Sequence, residues 1–212
     1  MQTFNSNRAY SASVGGSMKV YTREVYPLQG TQVALADLPP VGNVLPAGTP
    51  ILVDDSDNKI TTVHYAFVAM DVDTVTVQLK KGGEGTRVKE GMFLMEAPAT
   101  YAGTGTADTV LAVDSSNEMY DEITLSAAIT GLVNGETLVE ANQTGAGAVI
   151  KVLPSALSVA DVYVDAMAFD FGITGTFLSH GEVLQRRIPP IAPAVKTYLR
   201  ENEVYLRFSN SK

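Results

Sequence analysis

Along Thr74-Val75-Thr76-Val77-Gln78-Leu79 polar and apolar residues alternate strictly, and this two-residue period predicts a half-buried strand. Neighbouring segments carry the same signal in other forms. Ile51-Leu52-Val53 is a short buried-type run, and Ile60 to Met70 is rich in β-branched and aromatic residues. Arg87 to Met95 predicts a strand pair around a Glu90-Gly91 turn. Turn-forming residues separate these runs at Asp54-Asp55-Ser56-Asp57-Asn58 and at Lys81-Gly82-Gly83-Glu84-Gly85. Upstream, Val20, Tyr21, Val25 and Tyr26 favour a strand over Lys19 to Leu28, and Val33 to Leu38 fits neither period. Pro39, Pro40, Pro46 and Pro50 exclude helix from the crossing that follows. Strands at this spacing predict a small β-barrel or sandwich over 19–98.

A second β-rich unit is expected over 99–212. Tyr101 to Asp108 reads as a Gly/Thr/Ala linker, followed by strands at Thr109–Val113, Ile123–Leu125, Thr137–Ala141, Ala148–Leu153 and Val162–Phe169. Asn134-Gly135 is a tight-turn signal, and Thr144-Gly145-Ala146-Gly147 reads as another turn. Helix is allowed only locally, at Ser126–Ile129 and Ser155–Ser158. Arg186-Arg187-Ile188-Pro189-Pro190-Ile191 must be extended, because a residue before proline is driven out of the helical region. Pro193 suits the first position of a short helix to about Glu201, and Val204 to Phe208 reads as a last strand. The fold class is therefore mainly β, with one short C-terminal helix. At the other end, 1–18 carries too few apolar groups to form a core and reads as an extended N-terminal arm that needs a surface to lie on.

Composition narrows the function. A net charge of −8 argues against nucleic acid as a partner, since phosphate binding needs a basic face. No stretch approaches the roughly 20 apolar residues of a membrane-spanning helix. The polar start Met1-Gln2-Thr3-Phe4-Asn5 lacks the regions of a signal peptide, so assembly in a cytoplasm is expected. Cysteine is absent, which removes thiolate chemistry and disulfides together.

Candidate chemistry is sparse. His64 and His180 sit in separate segments without the serine or carboxylate pattern of a triad, and no phosphate-loop, dinucleotide or zinc-protease motif is present. Asp54, Asp55, Asp57 and Asn58 miss the EF-hand spacing, because Lys59 stands at the third ligand position, so a solvated acidic turn is expected. Asp71 and Asp73 read as a bend. Neither an enzyme nor a cofactor is expected. Arg186 and Arg187 beside Ile188 and Pro190 read as a solvated basic edge or as a docking strip: an extended, preordered segment loses little entropy on binding, and arginine suits carboxylates on a partner. Arg8, Tyr10, Tyr21 and Arg23 are the corresponding candidates on and beside the arm, with core packing as the alternative for the tyrosines.

Three segments carry a family resemblance. Leu45-Pro46-Ala47-Gly48-Thr49-Pro50-Ile51-Leu52-Val53 resembles the proline-glycine turn and short strand that open phage head decoration proteins. Ile129 to Ala141 is similar to a segment of head fibre proteins in phages of gut bacteria, including the crAss-like group. Arg187-Ile188-Pro189-Pro190-Ile191 followed by a short helix fits the same pattern. The resemblance implies a structural virion protein on the capsid surface, bound to the major capsid protein or other virion subunits, with one end gripping the head and the other projecting. It carries over no catalytic residues. Many short strands also leave edges that must be covered, so a homo-oligomer, dimer or trimer, is expected. The rivals are a phage tail or baseplate component and a carbohydrate-binding β module. The absence of Trp weighs against the latter.

Overall fold

The computed structural model describes residues 32–33, 42, 44–54, 59–71, 75–81, 87–100, 103–129, 132–159, 161–164, 177–178, 180–201 and 205–209. The expected arm 1–18 and the expected strand at Lys19 to Leu28 lie outside them. The chain is mainly β, and it divides into two compact units, each discontinuous in sequence: Met1–Val63 with Pro154–Ile191 and Tyr198–Lys212, and His64–Leu153 with Ala192–Thr197.

Numbered along the chain, the first unit contains β1 (Gln32–Val33), β2 (Val44–Leu45), β3 (Pro50–Asp54) and β4 (Lys59–Thr62). The second contains β5 (Tyr65–Asp71), β6 (Thr76–Lys80), β7 (Phe93–Glu96), β8 (Thr104–Asp114), β9 (Tyr120–Leu125), β10 (Thr137–Glu140) and β11 (Gly145–Val149). The chain returns to the first unit with β12 (Ala156–Ser158), β13 (Val162–Tyr163), β14 (Phe177–Leu178) and β15 (His180–Leu184), and ends, after helix α1 (Pro193–Glu201), with β16 (Tyr205–Ser209).

In the first unit five strands form a sheet in the order β1-β4-β3-β12-β14. Ile51, Ile60, Ala156 and Val164 form its buried cluster, with Val53 packed against it. The Ser155–Ser158 stretch, expected as local helix, is instead the strand β12. It pairs with β3 on one side and β14 on the other, and all three of its residues are buried. Pairing on both sides overrides the weak local preference of Ala-Leu-Ser. β15 and β16 run parallel, so the chain between them must cross over, and α1 lies in that crossover. Pro193 is the first helical residue, as expected, and the first helical bond runs from Lys196 N–H to Ala192 C=O at 3.0 Å. Val195 and Leu199, four residues apart, are both fully buried.

The second unit is a closed barrel. Around the ring the strands run β8-β7-β10-β5-β6-β9, all neighbours antiparallel, and β9 pairs back onto β8. β7, β8 and β9 form a meander, and the preceding strand β6 lies beside β9, which is a Greek-key arrangement. The expected division at Ala99 falls between β7 and β8, which pair through Phe93–Thr109, Leu94–Asp108 and Met95–Ala107. β8 has 11 residues and carries two partners in succession on one side, β11 along Thr104–Ala107 and β9 along Val110–Asp114. Two strands of the ring carry a bulge. Leu111 is the extra residue between Val110 and Ala112, and Ala69 the extra one between Val68 and Met70. A bulge bends and twists its strand, which a six-stranded sheet needs in order to close.

The barrel interior follows the two-residue period. Val77 and Leu79 of β6 face inward as expected, beside Ala66, Val68, Val88, Leu94, Val110, Ile123, Leu125, Leu132 and Leu138. On β5 the alternate residues Tyr65 and Phe67 meet edge to face at 5.9 Å, and burial, against the opposing charge of Arg87, pushes the Tyr65 hydroxyl up to about 12. Asn134 and Gly135 form the expected turn, with Gly135 at φ 95°. Four expectations are corrected. Arg87–Lys89, expected as the first strand of a pair, is irregular chain before the Glu90-Gly91 turn, and Ser126–Ile129 forms no helix. The Gly/Thr/Ala stretch at 101–108 is not a linker from residue 104 on but the first half of β8, where a side chain at Gly105 would come within 3.1 Å of Met95 Sδ. In the stretch 144–147 only Thr144 is a bend; Gly145–Gly147 are the start of β11, with Gly145 and Gly147 at positive φ around a bulge.

Because Leu79 and Leu138 are completely buried, Leu79→Ala and Leu138→Ala are each expected to lower the unfolding free energy by about 2–5 kcal/mol in denaturant titrations. Leu111→Ala, at a bulge residue 56 % exposed, is expected to change it by less than about 0.5 kcal/mol.

Candidate functional site

The candidate docking strip lies in the first unit and is rigidly mounted. Gln185–Arg187 form one 3-10 turn, and Ile188 leaves it fully extended at φ −121° and ψ 158°. Arg186 and Arg187, expected to be extended, lie instead in this turn, because the restriction imposed by a proline reaches only the residue before it, here Ile188. Arg186 and Pro190 are exposed, whereas Ile188 and Ile191 are buried. Arg187 and Pro189 are intermediate. Ile188 is thus an anchor within the chain and not a group offered to a partner. Arg8, Tyr10, Tyr21 and Arg23 lie outside the described residues.

What Ile188 rests on is the turn between β2 and β3. Gly48 adopts φ +88°, and a Cβ there would sit 2.5 Å from Ile188 Cβ and Cγ2. Only glycine permits both the backbone conformation and this approach. The turn is otherwise saturated with hydrogen bonds. Ala47 N–H donates to the buried Asp161 carboxylate at 2.8 Å, and Gly48 N–H to Ser158 C=O at 2.7 Å. Thr49 Oγ donates to Pro46 C=O at 2.8 Å, while Thr49 C=O accepts from Ser158 N–H at 2.9 Å. Leu45, Ala47, Thr49 and Pro50 are all buried. The proline-glycine turn therefore serves as a fixed socket for the strip. No family model, curated protein or solved structure matches this chain.

The second unit contains two charge clusters that the sequence reading did not find. His64, Glu140 and Lys151 form the first. Glu140 accepts from His64 Nδ1 at 2.9 Å and from Lys151 Nζ at 2.7 Å, one on each carboxylate oxygen. Burial pushes the Glu140 carboxyl up, but the bonds and charges of His64 and Lys151 outweigh it and hold the carboxyl below its ordinary value. The partners are 76 and 11 positions away, so no local motif announces them. The sequence hint is a charged residue inside the apolar run Leu138-Val139-Glu140-Ala141. With both oxygens engaged, this carboxylate fixes structure and is poorly placed to act as a base. The side chain of His180 lies outside the described residues.

In the second cluster Lys81 Nζ donates to Ser115 C=O at 2.8 Å and Asn117 C=O at 2.9 Å, and lies 3.0 Å from the buried Asp121 carboxylate. It pins the β8–β9 turn from inside. Asp114 accepts from Ser116 N–H at 2.9 Å, which holds its carboxyl below the ordinary value, and Asn117 Oδ1 accepts from Met119 N–H at 2.8 Å. Met119, 78 % exposed, is therefore displayed on a firmly bonded tip. A shallow groove of about 300 Å³ is lined by Glu96, Pro98, Glu136, Thr137, Pro193 and Thr197. Of the acidic stretch 54–58 only Asp54 is described, and it is exposed at the end of β3.

Two glycines separate steric crowding from backbone strain. Gly48→Ala is expected to cost about 2–5 kcal/mol, from the clash and the positive φ together. Gly42→Ala, with φ +93° and no atom within 4 Å of the new Cβ, is expected to cost only about 1–2 kcal/mol. Equal losses in urea titrations would contradict the socket role of Gly48. For the tip, Lys81→Met is expected to accelerate proteolytic cutting between Ser115 and Tyr120 severalfold, read by mass spectrometry of the fragments.

Proposed function

We propose that the chain is a structural virion protein that decorates the outer surface of a phage capsid and acts by protein–protein binding rather than by turnover. The observation that carries this reading is the mounted strip. Ile188 seats on Gly48, the 3-10 turn just before it exposes Arg186, and the extended stretch after it exposes Pro190. A strip already ordered in its binding conformation gives up little entropy on docking, and an exposed arginine selects carboxylates. Two of the three segments that carry the resemblance to head decoration and head fibre proteins meet in this contact. The third supplies β10 of the barrel and the turn before it.

In this reading the first unit holds the chain to the major capsid protein or a neighbouring virion subunit, and the barrel is the rigid body carried there. A homo-oligomer on the particle fits the exposed apolar side chains of the barrel, Met70, Leu111, Met119 and Val133, each more than half exposed. The arm 1–18 is the second proposed attachment, with Arg8 and Tyr10 as its anchors.

Purified chain mixed with heads assembled without it is expected to co-sediment with them. Arg186→Glu is expected to weaken that binding by about tenfold or more, with an unchanged melting temperature, since an exposed arginine contributes to binding and not to the fold. Deleting residues 1–17 is expected to weaken attachment without unfolding either unit. Co-sedimentation with isolated tails but not with heads would overturn the capsid assignment, and full binding by Arg186→Glu would remove the strip from the contact.

A further inference from the structure

We propose that His64, Glu140 and Lys151 form an acid-labile latch that holds the β11 strap onto the barrel, so that acid exposes the edge of β8 without unfolding the barrel itself. This device goes beyond the proposed function and does not depend on it.

The geometry joins three distant points of the second unit. Glu140 ends β10, His64 precedes β5, and Lys151 follows β11. Their backbones meet as well as their side chains: Glu140 N–H donates to His64 C=O at 3.0 Å, and Lys151 N–H donates to Glu140 C=O at 2.9 Å. The strap is the chain from Ala141 to Ile150, whose two ends bridge each other. Just inside that bridge Asn142 and Val149 exchange two bonds, Asn142 N–H to Val149 C=O and Val149 N–H to Asn142 Oδ1, both at 3.0 Å.

Beyond its base the strap is weakly held. Residues 142–147 are all exposed, and of β11 itself only Ala148 is buried. Gly145, Ala146 and Gly147 bring almost no apolar area to offset the cost of ordering them. The barrel strands beneath it have fully buried leucines and isoleucines. The strap is therefore the element whose attachment depends most on the polar latch, and local opening starts where apolar anchoring is poorest. What it covers is the Thr104–Ala107 edge of β8, because those residues pair with Gly145–Val149.

The titrating group is the Glu140 carboxyl. The groups that face it are His64, from the segment before β5, and Lys151, from the end of the strap; its cross-strand neighbour on β7, Leu94, is apolar. A carboxyl held below its ordinary value of 4.5 contributes stability above that pH and loses it as pH falls through the folded value. Protonation removes the negative charge to which both donors point. Lys151, about half exposed, gives solvent access to the site.

Hydrogen exchange followed by mass spectrometry tests this on the whole chain, after correction for the intrinsic pH dependence of exchange. At pH 7, Glu140→Gln is expected to exchange at least about tenfold faster than wild type over 141–152 and 104–107, with 76–80 and 120–125 unchanged. Lys151→Met, at a half-exposed position that leaves the fold intact, is expected to show a smaller acceleration in the same peptides. Wild type taken well below pH 4.5, through the lowered folded value of Glu140, is expected to show the Glu140→Gln pattern. Unchanged exchange of the strap in both variants would overturn the latch. So would acceleration of all barrel peptides together, which would make the trio a support of global stability instead.

Discussion

An open sheet edge offers unpaired N–H and C=O groups to any passing strand, and the pairing of Val110–Asp114 with Glu122–Leu125 closes the six-stranded ring of the second unit, so that among that unit's described strands β11 is left paired on one side alone. Much of the barrel's detail follows from this closure. The strands are short, apart from β8, which is long because it must satisfy β7 along one side and both β11 and β9 along the other. The bulges at Leu111 and Ala69 supply curvature. The small residues of β8 allow neighbouring strands to approach, as Gly105 does for Met95. Closure also gives the interior one contiguous apolar cluster.

The buried polar groups of the described residues sit where strands end. Glu140 closes β10, and Asp121 opens the β9 side of the Lys81 pin. Asp161 caps the Ala47 amide in the first unit. A buried charge is tolerated only when partners surround it, and each of these holds a loop or turn that apolar packing alone would leave adrift. The 46–49 turn applies the same economy to the backbone: with its amides bonded and Gly48 filled over by Ile188, it becomes a rigid part of the first unit.

Local chemistry made part of this visible in the sequence. The alternation over Thr76 to Leu79, the Asn134-Gly135 turn and Pro193 at the head of its helix are written within a few residues, and each stands where expected. The β-rich class and a small barrel were legible for the same reason. The barrel's position was not, because its closure joins residues that no local window contains. Thr104 to Ala107 reads as a linker by composition and is strand because β7 and β11 flank it. Ala156-Leu157-Ser158 has no strand signal of its own and is strand because β3 and β14 do. For the candidate site, the extended stretch from Ile188 on was legible from its prolines, whereas the 3-10 turn that holds Arg186 and Arg187 was not. Its mount was not, since the Gly48–Ile188 contact spans the whole intervening barrel sequence and turns Ile188 from a candidate contact into an anchor.

The central functional claim is placement on the outside of a phage head. Electron cryo-microscopy of intact particles assembled with this chain tests it most directly. The account predicts ordered, symmetrically repeated density on the outer head surface, into which the five-stranded sheet and the barrel fit as separate bodies, with the Arg186–Pro190 strip against a capsid subunit. Density for the barrel on the tail or baseplate, or heads identical with and without the chain, would contradict it.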